Sequence, residues 1–377
     1  MRSWDVITCG LGAMGSAVAW QLARRGRRVL GFDRFEPPHG LGSSHGGSRI
    51  IREAYFEHPA YVPLVQRAYE LWREIEERTG RTLLHRTGGL MVGPPDGTVA
   101  GGARRSAERH GLPFETLSAA EVRRRFPGLR PDDDAVAILE PRAGYLSPEA
   151  CIDAQLALAR EAGAELRFGE PVVSWSADGD GVVVRTPDGE RRAGRLVITA
   201  GAWSAGLTSG LELPLAVERV VVCWFEPRAH PDRFRPDRLP VWVAEYETDR
   251  IMYGIPDAGD GAKAGLHHQG RAAAVETIDR DAHPADLDAL RGPLRRFAPD
   301  LDGRLRRAEV CMYTNTPDHH FIIDVHPLHP QVLIAAGFSG HGFKFSSAIG
   351  DLIARAVVDD DERPALLRPF GIDRFAD

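Results

Sequence analysis

Three glycines set the first chemical constraint. Gly10, Gly12 and Gly15 stand in GLGAMG, between the apolar run WDVITC (4–9) and a segment that places Met14, Ala17, Val18 and Leu22 on one helical face. At such a junction glycine permits a tight turn and lets the backbone approach a pyrophosphate, and the helix N-terminus offers free N–H groups. Asp33 ends the next apolar run, RVLGFD, where a carboxylate can accept hydrogen bonds from ribose hydroxyls. Strand, glycine turn, helix and acid together predict a dinucleotide site.

That fingerprint fits NAD and FAD alike. Two later segments favour FAD. ITAGAWS (198–204), with Ala200 in its turn, returns a strand to the nucleotide. GFSGHGFK (337–344) is a second glycine-rich turn before a helix and carries Gly337, Gly340, Gly342, Phe343 and Lys344. A helix N-terminus there suits the electron-rich edge of a reduced flavin.

Other reactive residues are ambiguous by type alone. Cys9, Cys151, Cys223 and Cys311 are far apart and form no CxxC pair, which predicts neither a disulfide framework nor a zinc site. The His326 and His329 spacing in DVHPLHP reads as a turn, so no metal is expected. Cys311 in AEVCMYT reads as a buried strand cysteine. Arg52 in RIIRE and Lys263 after Asp260 and Gly261 read as surface cations. Lys344, set between Phe343 and Phe345, looks less exposed.

These residues need elements to position them. A helix is expected to run to about Arg25, with Gly26 as its C-cap. The Gly/Ser/His-rich segment 39–49 is too polar for core. Amphipathic helices are expected over 60–78 and 148–162, followed by a β-meander that turns at Asp178-Gly179 and Asp188-Gly189. A second meander, from about 215 to 305, gives way to an Asp- and Arg-rich helical segment. The chain closes on a strand, the glycine turn and a helix buried through Ala348, Ile349, Leu352, Ile353, Ala356 and Val357.

Nucleotide-binding pieces therefore occur at the start, middle and end of the chain. The expected fold is α/β plus α+β: a Rossmann-like FAD-binding domain (1–88, 145–214 and 306–377) interleaved with an antiparallel-sheet substrate domain (89–144 and 215–305). The length of 377 residues accommodates two domains. With 47 Lys and Arg against 53 Asp and Glu, the net charge of −6 and the mixed signs argue against a nucleic-acid or anionic-membrane surface. The basic run RRGRR (24–28) reads as a helix end. No apolar run is long enough to span a membrane, and Asp5 opens the first apolar segment, unlike a signal peptide. A cytoplasmic protein is expected.

GSSHGGSRIIREAY (42–55), GLHHQG (265–270), CMYTNTPDHHFIID (311–324) and AAGFSGHGFKFSS (335–347) closely resemble the monomeric sarcosine oxidase and N-methyltryptophan oxidase family. The resemblance covers nearly the whole chain and is strongest over the first 80 and last 70 residues. It implies a monomer and a covalent 8α-S-cysteinyl FAD on Cys311, since a thiolate can add to an electrophilic flavin methide. It implies that Arg52 and Lys344 hold the substrate carboxylate and that Lys263 activates oxygen. It places His267 beside the substrate amine, with Tyr253 and Tyr313 lining the pocket. It sets Ser43, His45, Ser48 and Arg49 near the flavin and leaves His268 structural or exposed.

The implied partners are a small secondary amine bearing a carboxylate, such as sarcosine, and O2. Hydride would pass to the flavin, O2 would become H2O2, and the imine would hydrolyse, releasing formaldehyde from an N-methyl group. A bulkier N-methyl amino acid or a cyclic imino acid are alternative substrates. An NAD-dependent dehydrogenase and a non-catalytic flavoprotein are the rival classes. Three departures from the family pattern bear on the substrate. Val243 stands where a pocket methionine is expected, Asn315 and His319 differ, and the loop from Tyr253 to Lys263 is altered in length.

Overall fold

The computed structural model describes residues 4–208, 210–359 and 364–375. Strand Trp4–Cys9 lies at the centre of an eight-stranded sheet, parallel to Val29–Phe32 on one side and to Gly189–Ile198 on the other. Glu165–Arg167 extends the parallel part, and His329–Ala336 joins at the far end of Gly189–Ile198. The antiparallel hairpin Ser174–Asp178 and Gly181–Thr186 completes the meander expected after residue 162.

The first helix, Ala13–Ala23, is buried on every face rather than on one stripe. It lies between the helices Pro148–Glu161 and Ser346–Val358. The close approach uses small residues: a Cβ at Gly350 would meet Ala17 Cβ at 2.6 Å. Arg24, not Gly26, caps this helix, and Gly26 turns the chain two residues later with φ +78°. Asp351 is buried among the helices and gathers Arg25 from just past the first helix, Arg67 from helix Tyr61–Thr79 and Arg355 from its own helix, cations that offset the cost of burying the carboxylate.

The second sheet has nine strands. In order they are Arg271–Ala272, Ala216–Glu226, Ala262–His267, Arg250–Ile255, Val241–Glu247, Gly89–Gly93, Val136–Glu140 and Glu115–Ser118; the ninth, Arg304–Asn315, pairs with Ala216–Glu226. The domain boundary expected at residue 306 falls inside that ninth strand, which places Cys311 opposite Val220 in this sheet. Helix Pro284–Phe297 covers the outer face through Leu290, Leu294 and Phe297. A small sheet of Arg49–Ile51, Gly144–Leu146 and Leu84–Arg86 carries the backbone that leads to Arg52. Among the described residues no helix is long and apolar enough to cross a membrane.

Candidate active site

A cavity of about 900 Å³ runs between the two sheets, near the upper end of the ~300–1,000 Å³ usual for ligand sites. One end is lined by Gly10, Gly12, Asp33, Ala200 and Trp203, the other by Arg49, Arg52, Lys263, His267, Cys311 and Lys344.

The nucleotide end fits an extended dinucleotide such as FAD. Gly10 adopts φ +88°, and a Cβ there would meet the Thr199 carbonyl oxygen at 2.6 Å. The helix that follows has no side-chain cap and no acid in its first turn, so its free N–H groups suit an anion. Asp33 already accepts Leu11 N–H at 2.7 Å and Phe35 N–H at 2.9 Å, which fixes its carboxylate at the strand end. Gly15 does not line the cavity. Its missing Cβ lets the helix pack on Gly10, whose carbonyl oxygen would lie 1.7 Å from it. Sequence reasoning missed Arg34 and Trp203, which stack 5.1 Å apart at this end.

In the middle of the cavity the polar segment 39–49 stays largely out of the core, as expected, but His45, Gly46 and Ser48 within it are buried. The reason is electrostatic. Lys263, 2% exposed, donates to Gly46 O and Ser48 O at 2.9 Å and to Ser48 Oγ at 3.4 Å. Arg49 donates to Ser48 O at 2.8 Å and Ser43 O at 2.9 Å, and lies 3.6 Å from Cys311 Sγ. Burial pulls the Lys263 pKa well below the usual lysine value, while the three oxygens match the three N–H bonds of an ammonium.

Cys311 differs from the other thiols. Burial raises its pKa, but a hydrogen bond from His45 and the charge of Arg49 outweigh it and bring the thiol down to about 7. Cys9 and Cys223 are instead pushed up to about 12, chiefly by burial. His45 does not line the cavity. It stands behind Cys311, 3.1 Å from Glu309; burial opposes its charge, but bonds to Cys311 and Glu309 raise it to about 9.

At the substrate end His267 Nδ1 lies 3.3 Å from Tyr313 Oη, and burial holds the imidazole well below its usual pKa, hence neutral. The Tyr313 ring lies over Gly340, where a Cβ would come within 2.4 Å of it. Gly337 likewise has no room for a Cβ beside Thr316. Tyr253, Gly342 and Phe343 complete this wall.

Arg52 is no surface cation; it is 3% exposed and stacks over Phe56 at 4.0 Å. It donates to Ala54 O at 3.1 Å and to both oxygens of Glu57 at 2.7 and 2.6 Å. Lys344 Nζ donates to His341 O at 2.7 Å and to Tyr55 Oη at 3.3 Å. Burial and the neighbouring Arg52 charge lower Lys344 to about 7. Tyr55 Oη donates in turn to His341 Nδ1 at 2.6 Å, because His341 Nε2 is committed to His319 O at 3.0 Å. Arg52 and Lys344 thus line one end of the cavity together with a carboxylate, Glu57, that pairs with Arg52. Sequence reasoning missed Glu57, although it lies five residues beyond Arg52.

Val243 lines the cavity, whereas Trp242 points the other way and packs on Phe297 at 5.0 Å. Tyr246 is turned aside by a 2.6 Å bond to Gln269. The departures Asn315 and His319 gather behind Tyr313. Asn315 donates to Glu218 at 2.7 Å, and His319 stacks on His268 at 4.1 Å.

The chain matches the FAD dependent oxidoreductase family over residues 5–356. It is 48% identical to a monomeric sarcosine oxidase of Streptomyces avermitilis, covering 93% of each chain. It is 34% identical to an N-methyl-L-tryptophan oxidase of Yersinia pestis over 99% of each. Among solved structures it resembles NikD, an unusual amino acid oxidase essential for nikkomycin biosynthesis, with a TM-score of 0.85, 26% identity and 98% of each chain covered.

A carboxylate that enters between Arg52 and Lys344 must compete with Glu57 for the guanidinium. Glu57→Gln should therefore bind acetate roughly tenfold more tightly, the worth of about one charge-assisted hydrogen bond. Titration of the flavin-loaded protein by absorbance reads this directly, and unchanged acetate affinity would exclude the competition.

Proposed function

The chain belongs to the FAD-dependent oxidoreductase family, with sarcosine and N-methyl-L-tryptophan oxidases as relatives, and from that premise we propose that it oxidises N-methyl amino acids. The observation that carries the substrate class is the convergence of buried Arg52 and Lys344 with neutral His267 in one cavity. The chemistry supplied by bound FAD is acceptance of a hydride equivalent from the carbon beside nitrogen and delivery of the electrons to O2. The balance is secondary amine plus O2 and water giving primary amine, aldehyde and hydrogen peroxide; the aldehyde is formaldehyde when the N-methyl carbon is oxidised.

Arg52 and Lys344 orient the substrate by its carboxylate, which also favours the protonated form of Lys344. His267, neutral and held by Tyr313 through Nδ1, leaves Nε2 to take a hydrogen bond from the substrate amine. Lys263 presents positive charge where negative charge builds on oxygen. Lys263→Met should then slow reoxidation by air by at least about tenfold while leaving anaerobic reduction by substrate less affected. Stopped-flow traces with normal reoxidation would remove Lys263 from the oxygen site.

We further place a thioether between Cys311 Sγ and the flavin 8α carbon. The support is chemical: Cys311 lines the cavity and is the thiol whose pKa is lowered toward neutrality, so it carries thiolate where the others do not. Acid-precipitated protein should stay yellow, and Cys311→Ser should shed its flavin. Flavin that leaves the wild-type protein freely under acid denies the linkage.

Substrate size follows from Val243. A shorter, stiffer side chain than methionine faces the cavity, and neither Trp242 nor Tyr246 turns in to fill the space. Room for a substituent on the α-carbon follows, at about 0.8 kcal/mol per methylene buried. kcat/KM for N-methylalanine, measured by peroxide production, should equal or exceed that for sarcosine, and an aromatic N-methyl amino acid should show measurable turnover. Activity confined to sarcosine would refute this.

A further inference from the structure

Glu140 takes no part in the reaction as derived above, yet it is one of the most deeply buried carboxylates. It ends strand Val136–Glu140 of the second sheet and is 1% exposed. Its two oxygens accept two consecutive backbone N–H groups, Glu53 N to Oε1 and Ala54 N to Oε2, both at 2.8 Å. Those are the two residues that directly follow Arg52.

We propose that Glu140 is a positioning residue for the carboxylate grip: it fixes the backbone of residues 53 and 54 so that Arg52 and Lys344 converge on one point. The inference rests on the reading of Arg52 and Lys344 as the substrate clamp. The mechanical path is short. Ala54 is held through its N–H by Glu140, and its carbonyl receives Arg52 Nη1 at 3.1 Å. The next residue, Tyr55, is anchored through its own carbonyl by Ser106 Oγ at 2.6 Å and presents its hydroxyl to Lys344. One rigid three-residue segment therefore sets the direction of both cations. A bidentate carboxylate fixes the orientation of two peptides at once, which a single acceptor does not.

The groups that face Glu140 set its response to pH. Glu53 and Arg52 belong to the segment it holds. Arg142, just beyond its own strand, pairs with Glu53 at 3.1 Å; Tyr69 comes from helix Tyr61–Thr79 and Arg86 from strand Leu84–Arg86. Burial, opposed by the two N–H bonds, raises the Glu140 pKa to about 7. Protonation turns one acceptor oxygen into a donor facing an N–H, so the grip loosens as pH falls through about 7. Lys344 works in the opposite direction and loses its charge as pH rises through about 7. His341, held near 3, and His267, held well below 6.5, stay neutral across this range, and Glu57 stays ionised. Carboxylate affinity should peak near neutrality, with an acid limb set by Glu140 and an alkaline limb set by Lys344.

The test uses flavin-loaded enzyme, with acetate as the probe and flavin absorbance as the readout. Glu140→Gln keeps the shape but loses one acceptor. It should raise the acetate Kd and the KM for an N-methyl amino acid about tenfold, with kcat within about twofold and flavin content unchanged, and it should abolish the acid limb. Wild-type-like acetate affinity, or a fall in kcat and flavin content with KM unchanged, overturns the proposal. If the variant yields no soluble holoenzyme, Lys344→Met decides: the alkaline limb should vanish and the acid limb persist, and absence of the acid limb overturns the proposal. Arg52→Met separates the two levels. Intact acetate affinity there overturns the clamp reading and this inference with it, whereas Arg52-dependent binding with a wild-type-like Glu140→Gln overturns this inference alone.

Discussion

The structure depends on the placing of four basic residues, half-buried Arg49 and buried Arg52, Lys263 and Lys344, around one cavity. Removing a charge from water costs several kcal/mol unless oxygens replace the lost hydration. Here the replacement oxygens are mostly backbone carbonyls: Ser43, Gly46, Ser48, Ala54 and His341. Carbonyls can serve only if the loops that bear them are held still. That requirement explains why His45, Gly46 and Ser48 are buried within a Gly/Ser/His-rich loop whose Leu41, Ser43 and Gly47 are exposed.

Carboxylates provide much of the restraint. Glu149 Oε1, in the first turn of helix Pro148–Glu161, accepts Gly46 N–H at 2.7 Å and Gly47 N–H at 3.1 Å. Glu140 does the same for Glu53 and Ala54. The acids thus hold the loops, the loops hold the cations, and the cations set the field in the cavity. That field favours negative charge in the cavity, and His45, Arg49 and Lys263 help to bring the Cys311 thiol down to about 7. Burial keeps His267 neutral beside them, so the same pocket holds an acceptor for a proton within an otherwise cationic wall.

The two sheets divide the work. The mostly parallel sheet presents a helix N-terminus and Asp33 to a nucleotide, which is what the carboxyl ends of parallel strands do in open α/β folds. The other sheet supplies Val243, Tyr253, Lys263, His267, Cys311 and Tyr313 from strands whose alternate residues face the cavity or the outer core.

The sequence alone determined what local chain geometry can determine. GLGAMG between a strand and a helix, Asp33 at the next strand end and the GFSGHGFK turn are short-range patterns, and each forms the element its spacing predicts. Resemblance to a family singled out Arg52, Lys263 and Lys344, whereas by residue type Arg52 and Lys263 read as surface cations; all three are buried. Only the tertiary structure decided that Gly15 serves helix packing, that His45 stands behind Cys311, and that Val243 rather than Trp242 faces the cavity. It also decided that Glu57, Glu140 and Glu149 hold the site together. The reason is physical: a turn depends on neighbours within a few residues, whereas the burial of a charge depends on oxygens brought from distant segments. Lys263 and Gly46 are 217 residues apart in the chain, and nothing in the local pattern around either one encodes their meeting.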